Sequence, residues 1–184
     1  MRNVVLYMSM SLDGYVASER EHPGATIPEG AELKDWKLRH IARAGAHLMG
    51  RKTYEEMSSF WPQSDDPYAQ PMNDIPKIVF SKTLDDHDAG WPTTRVARGG
   101  LASEIAAIKA EPGLDVIAWG GAEFAGALAA ADLIDEYRLL VQPLILGSGK
   151  ALFAQLPESR HLNLVEATPF PGGIVVRTYQ RQRR

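Results

Sequence analysis

The feature that most constrains this chain is a pair of signals that recurs along it. A short apolar run rich in β-branched and aromatic residues stops at a glycine, a hydroxyl or a cation, and a stretch with helical spacing follows. "NVVLYMSM" (3–10) ends in Ser11-Leu12-Asp13-Gly14, and "AHLM" (46–49) in Gly50-Arg51-Lys52-Thr53. "KIVF" (77–80) ends in Ser81-Lys82-Thr83, and "LDVIAW" (114–119) in Gly120-Gly121. Helical spacing appears in Leu38, Ile41, Ala42 and Gly45, again in Leu101, Ile105 and Ile108, and in the alanine-rich stretch 123–131. Strands that alternate with helices need crossover connections, which lay the strands parallel and put the helices on the sheet's faces.

The last third departs from this rhythm. "DEYRLLVQPLIL", "HLNLVEAT" and "GIVVRTYQRQ" are strand-like with no strong helix between them, and "PFPGG" (169–173) suits a hairpin turn. The expected fold is therefore α/β, a central mixed, mostly parallel sheet of about eight strands flanked by helices, with antiparallel strands at the C-terminal end. Residues 18–31 read as a surface loop. Residues 58–76, with four prolines, read as a long irregular connection.

A length of 184 residues suits one domain with a real core. Twenty basic and 23 acidic residues are interspersed for a net charge of −3, so no basic field exists of the kind that condenses on nucleic acid. "RQRR" at the end is a local basic tail. The absence of cysteine excludes disulfides, thiolate metal ligands and a cysteine nucleophile, and fits a cytoplasmic protein. No apolar run approaches the roughly 20 residues of a membrane helix.

Three of the strand ends share chemistry: Gly50-Arg51-Lys52-Thr53, Ser81-Lys82-Thr83 and Gly120-Gly121-Ala122-Glu123. In open α/β sheets, ligands bind at the carboxyl edge, where the following helices point unpaired N–H groups and the positive end of their dipoles. Phosphate is a natural occupant, and Arg51 and Lys52 add charge for a terminal monophosphate. A phosphorylated dinucleotide is the simplest ligand with that footprint. Each element has a plainer reading too. Thr53 and Glu56 match a capping box, Gly120-Gly121 could merely end a strand, and Ser81-Lys82-Thr83 could be a solvated turn. Neither G-x-G-x-x-G nor a P-loop is present.

For acid–base work, Asp13 lies in the first strand's exit loop, and Glu32 and Asp35 begin the first helix; each has an alternative as a turn former or a dipole partner. The five histidines show no metal-binding spacing, so no metal site is expected, and His47 inside an apolar strand reads as a core residue. "LGSGK" (146–150) reads as a sharp turn or an anion-binding loop.

In this order, "SMSLDGYVA", "LMGRKTYEEM", "KIVFSKTL", "VIAWGGAEFAGAL" and "LVQPLILGSGKALF" resemble the dihydrofolate reductase-like superfamily, across residues 3 to about 180. More narrowly the chain is similar to the reductase domain of the bacterial bifunctional riboflavin-biosynthesis deaminase-reductase, as a stand-alone member without the zinc-binding deaminase half. The resemblance implies a three-layer fold with a mostly parallel eight-stranded sheet, and NADPH as cofactor. It implies that Gly50, Arg51, Lys52 and Thr53 hold the adenylate-side phosphates, and that Ser81, Lys82 and Thr83 meet the 2′-phosphate and ribose. Gly120, Gly121, Ala122, Glu123 and Phe124 then lie under the pyrophosphate and nicotinamide half, and Ser9, Val16 and Ala17 line the nicotinamide ring. Glu32 or Asp35 stands where the folate enzymes carry a carboxylate, and Asp13 or water supplies the proton. The folate enzymes' tryptophan before that helix is absent, and Trp61 and Trp36 could line a substrate cleft instead, with core packing the alternative for Trp36.

The activity implied is hydride transfer from NADPH to a C=N or C=O carbon of a small pyrimidine-, pterin- or carbonyl-type substrate. The competing readings are a non-catalytic NADP(H)-binding sensor and a purely structural domain. Family members are commonly homodimers, joined through late strands such as 135–145.

Overall fold

The computed structural model describes residues 1–18, 23, 27–87 and 89–182. The elements run β1 (Val4–Ser11), β2 (Tyr15–Ala17), α1 (Ala31–Ile41), β3 (Ala46–Gly50), α2 (Arg51–Phe60), α3 (Ala69–Asp74), β4 (Lys77–Phe80) and β5 (Thr94–Ala97). They continue with α4 (Leu101–Ala110), β6 (Val116–Trp119), α5 (Ala122–Ala130), β7 (Glu136–Gln142), β8 (Lys150–Ala151), β9 (Leu162–Pro169) and β10 (Val175–Arg181). Eight strands form one sheet in the order β5-β4-β3-β6-β1-β7-β10-β9, and β2 with β8 form a separate antiparallel ribbon. The first six in that order are mutually parallel; β10 and β9 are antiparallel. The parallel part thus reaches one strand further than expected, because β7 lies parallel to β1.

Period-two alternation divides the strand side chains between two faces. Val4, Leu6, Met8 and Met10 pack with Ile105 and Ile108 of α4 and Leu128 of α5. On the opposite face Tyr7 packs with Leu33 and Trp36 of α1, while Met49, Val79 and Met72 form a cluster with Tyr54 and Trp91. The result is three layers, helix on sheet on helix. Each fully buried leucine such as Leu6 or Leu48 contributes about 1.5–3 kcal/mol through burial.

Residues 58–76 are more regular than expected. α2 continues to Phe60, a 3₁₀ turn covers Trp61–Gln63, and α3 follows. Pro62 and Pro71 sit in first turns, where the missing N–H has no intrahelical partner to lose. The first helix ends at Ile41 rather than near Gly45. Part of the loop expected over 18–31 and the last two residues of the basic tail lie outside the described residues. The late segment 135–145 is not a free edge, since β7 is hydrogen-bonded to β1 on one side and β10 on the other. The edge on that side is β9, whose Leu164 and Val165 are exposed.

His47 is a core residue, as its sequence context suggests. It is fully buried, its Nδ1 accepts from Trp119 Nε1 at 3.0 Å and its Nε2 faces the Pro71 carbonyl at 3.3 Å. That pairing fixes the neutral tautomer with the proton on Nε2, and burial lowers the pKa to about 4. The unfolded chain takes up this proton near pH 6.5 and the folded one does not, so stability falls as pH drops from about 6.5 towards 4. Urea unfolding across that window is expected to show a loss of about 3 kcal/mol from this residue, and a loss absent from His47→Gln.

Candidate functional site

Four parallel strands, β4, β3, β6 and β1, end side by side at the sheet's carboxyl edge. Over that edge opens a cleft of about 860 Å³. One wall is the start of α2: Gly50, Arg51, Lys52 and Thr53. A second is the start of α5: Gly120, Gly121, Ala122, Glu123 and Phe124. The ribbon supplies a third through Val16, Ala17 and Lys150, and Met8 and Phe80 form an apolar floor. Phe80 and Phe124 lie with ring centroids 5.0 Å apart.

Both helices begin without a side-chain cap, on Gly50 and Gly121 in extended conformation. The capping-box reading of Thr53 and Glu56 is therefore corrected. α2 starts three residues earlier than such a cap requires, and Thr53 is a buried residue inside its first turn. Arg51 and Lys52 take the first two helical positions, and no acidic residue shares that turn. Cations at a helix N-terminus oppose the dipole at a cost of about 0.3–1 kcal/mol each. An anion in the cleft reverses that sign.

Close approach explains the glycines. A Cβ on Gly120 would stand 1.8 Å from Met8 Cε, and one on Gly121 would stand 3.1 Å from Thr53 Oγ1. The two helix starts therefore touch, and the orphan amides of both face the same space.

The turn 81–83 does not line the cleft. Ser81 Oγ accepts from its own turn, from Thr83 N at 3.2 Å and Leu84 N at 3.0 Å, so its hydroxyl closes the chain reversal. Thr83 joins the site indirectly: Arg51 Nη1 donates to its Oγ1 at 2.6 Å, while Arg51 Nε donates to Glu55 at 2.6 Å. Lys82 is exposed on the same turn.

Ser9 projects to the other face of β1 from Met8, away from this cleft. Glu32 and Asp35 are exposed on α1 and do not line the cleft. Trp61 packs between Phe60 and Tyr68, at 4.8 and 6.4 Å, and Trp36 is buried against His40. Neither tryptophan reaches the cleft.

Asp13 has a different role from the expected proton donor. Its carboxylate accepts from Ser11 Oγ at 2.6 Å, Gly147 N at 2.7 Å and Leu146 N at 3.1 Å. The Ser11 hydroxyl, followed by the backbone amides, holds its pKa below the ordinary carboxylate value. An ionised carboxylate tied to three donors fastens the 146–147 turn and has no proton to give. Because the folded pKa is depressed, this contribution is present above about pH 4 and is lost as pH falls through the folded value. Asp13→Asn is expected to lower the melting temperature at pH 7 while leaving any turnover number at the cleft unchanged.

Sequence reasoning missed Met8 and Phe80, and reached Lys150 only through the anion-binding alternative for its loop. The floor residues carry only the general signal of a strand end. Lys150 lies in the glycine-rich "LGSGK", and reaches the cleft because β8 pairs with β2. Its ammonium stands 3.7 Å from Glu123, an exposed pair across the cleft mouth. Among the described residues no cluster suited to a metal ion exists, and no helix is long and apolar enough to cross a membrane.

Comparison with known proteins agrees with this architecture. The chain is 25% identical to the uncharacterized protein YyaP of Bacillus subtilis, over 97% of this chain and 94% of that protein. It is 29% identical to the uncharacterized protein YwjB of the same organism, over 89% of each. Among solved structures, a putative riboflavin biosynthesis protein from Shewanella superposes with a TM-score of 0.80 at 26% identity, covering 100% of both chains. The NADP(H) complex of Enterococcus faecalis dihydrofolate reductase superposes with a TM-score of 0.63 at 16% identity, over 98% of this chain and 97% of that one. That likeness shows a dihydrofolate reductase-like fold. The model of the RibD C-terminal domain matches residues 2–176, and this chain belongs to that family.

Proposed function

We propose that the protein is an NADPH-dependent reductase, acting in the cytoplasm, that transfers a hydride to a C=N or C=O carbon of a small heterocyclic or carbonyl substrate of the pyrimidine or pterin class. The observation that carries this reading is the meeting of two uncapped helix N-termini at one sheet edge, with Arg51 and Lys52 on the first. Membership of a reductase family supports it.

The nicotinamide, when bound, supplies the hydride. The chain's residues bind, orient and exclude water. The first-turn amides of α2 and α5 hold phosphate oxygens, and Arg51 and Lys52, with Lys82 beyond Thr83, favour the additional 2′-phosphate. Gly120 and Gly121 let the cofactor backbone approach the sheet edge, while Met8, Val16 and Phe80 give an apolar bed that keeps the reacting ring dry.

The cleft's described carboxylates are Glu55, Glu56 and Glu123. Glu55 is bound to Arg51, and Glu123, with a side chain 91% exposed, stands at the mouth beside Lys150. No buried acid faces the cleft among the described residues, which is the observation favouring a second reading as an NADP(H)-binding sensor without turnover.

Steady-state NADPH oxidation over a panel of aminopyrimidine, dihydropterin and carbonyl compounds separates the two. Turnover above the cofactor's own background is expected. Tight binding with none across the panel would favour the sensor. A homodimer belongs to the same reading and is expected to join through β9, since both edges of β7 are taken; sedimentation equilibrium measures it.

A further inference from the structure

The glycine-rich stretch "LGSGK" at 146–150 brings one cation to the cleft from a wall other than α2. Lys150 opens β8, which pairs with β2 so that Ala17 and Lys150 stand in register. The backbone on both sides of it is tied down. Leu12 N donates to Leu144 O at 2.7 Å, Leu146 N and Gly147 N donate to the Asp13 carboxylate, and Leu152 N donates to Gly14 O at 3.2 Å. Gly149 lies so close to Ala17 that an added Cβ would stand 2.2 Å from its carbonyl oxygen. Lys150 thus combines a fixed Cα with a flexible four-carbon stem, 58% exposed, that lines the cleft.

Its ammonium stands 3.7 Å from Glu123, a residue of the first turn of α5 whose side chain is 91% exposed. So loose and solvated a pair does little for folding. Its position is more telling. α5 begins on Gly121 without a side-chain cap, so its first amides face the cleft unpaired. A carboxylate in that turn takes up part of the field that a bound anion would use. The described residues lining the cleft carry three cations, Arg51, Lys52 and Lys150, and three carboxylates, Glu55, Glu56 and Glu123. A lining that is neutral in sum attracts a multiply charged anion only if a cation parts from its carboxylate. Arg51 is committed to Glu55 and to Thr83 of the 81–83 turn. Lys150 is the cation in contact with α5.

We infer that Lys150 is a diphosphate clamp: when a dinucleotide settles on the first turn of α5, the ammonium exchanges Glu123 for a phosphate oxygen. The inference rests on the dinucleotide reading of the cleft and adds a division of labour to it. Arg51 and Lys52 select the cofactor by its 2′-phosphate. Lys150 holds the part that NADPH and NADH share, and so adds affinity without preference. Glu123 is the competitor, because its carboxylate retains the ammonium at the mouth and repels the incoming diphosphate. With the backbone of 144–152 already tethered, only the two side chains have to move, which keeps the ordering cost of the exchange small.

Calorimetric titration of the full-length protein with NADPH, NADH and 2′-phospho-ADP-ribose, which keeps the diphosphate and lacks the nicotinamide, tests the clamp. Lys150→Met is expected to weaken all three by one common factor of about tenfold, as loss of a charge-assisted hydrogen bond does. Lys150→Arg is expected to bind close to wild type. Glu123→Gln is expected to tighten all three about twofold to threefold, the size of an exposed charge effect. Without nucleotide each variant keeps the wild-type melting temperature, which a structural ion pair would not allow. Wild-type affinities in Lys150→Met overturn the inference. So does a loss confined to NADPH and 2′-phospho-ADP-ribose, which puts the lysine on the 2′-phosphate, or one that spares 2′-phospho-ADP-ribose, which puts it on the nicotinamide half. Failure of wild type to bind any of the three counts against the dinucleotide reading itself, and the inference falls with it.

Discussion

Replacing Arg51 and Lys52 together with alanine is expected to weaken NADPH binding about a hundredfold, or about 2.7 kcal/mol, while changing NADH binding by only a few-fold. The two cations occupy the first two positions of α2, where the helix dipole alone would favour an acid. Their contribution to folding is small: Arg51 makes a half-exposed pair with Glu55 and a hydrogen bond to Thr83. Such surface pairs contribute about 0–1 kcal/mol, so the double variant is expected to keep its melting temperature. A structural role would produce the opposite pattern, with stability lost and the two cofactors affected alike. Single variants separate the contributions, because Arg51 also ties the 81–83 turn to the cleft and Lys52 does not.

Gly149→Ala is expected to be the most damaging single methyl in the chain. Gly149 has φ +142, and an added Cβ would stand 2.2 Å from the Ala17 carbonyl oxygen. The obstacle is backbone, so no side chain can swing aside. The strained backbone alone costs about 1–3 kcal/mol, and the clash brings the total to about 3 kcal/mol or more, near the upper range for point variants. In a protein of this size, 3 kcal/mol corresponds to a fall of about 6–12 °C in melting temperature. The damage falls on the ribbon that carries Val16, Ala17 and Lys150, so cofactor affinity drops with stability. At Gly147, with φ +71 but open space around it, alanine costs only the backbone strain of about 1–2 kcal/mol. Thermal unfolding of the two variants side by side distinguishes collision from conformation.

Much of this fold is legible in the sequence, because apolar runs stopped by glycine or hydroxyl residues specify strands locally. β3, β4 and β6 follow from "AHLM", "KIVF" and "VIAW" with no knowledge of their neighbours. The starts of α2 and α5 were legible for the same reason: Gly50 and Gly120-Gly121 announce a chain reversal that admits close approach.

Residues whose role depends on distant partners were not legible. Asp13 reads as a loop carboxylate until its bonds to Leu146 and Gly147 show that it fastens a turn more than 130 positions away. Ser81 resembles a ligand residue in sequence and is consumed by its own turn. Glu32 and Asp35 lie at the helix start that a carboxylate search selects, but the inward-facing acid is Glu29, placed by where Gly30 begins the helix. The helix begins at Ala31, one residue before Glu32, and Glu29 lies ahead of its N-cap, where helical spacing gives no signal. The prolines of 58–76 misled for a related reason, since Pro71 breaks a helix interior but is tolerated in a first turn.

The central claim is that the cleft between α2 and α5 binds a dinucleotide carrying a 2′-phosphate. Calorimetric titration of the full-length protein with NADPH and with NADH, each at low and high salt, tests it most directly. NADPH is expected to bind at least tenfold more tightly, or about 1.4 kcal/mol. That preference should shrink as salt shortens the screening length from about 10 Å at 0.1 M to about 3 Å at 1 M. Equal affinity for the two cofactors, or a preference indifferent to salt, would contradict the claim.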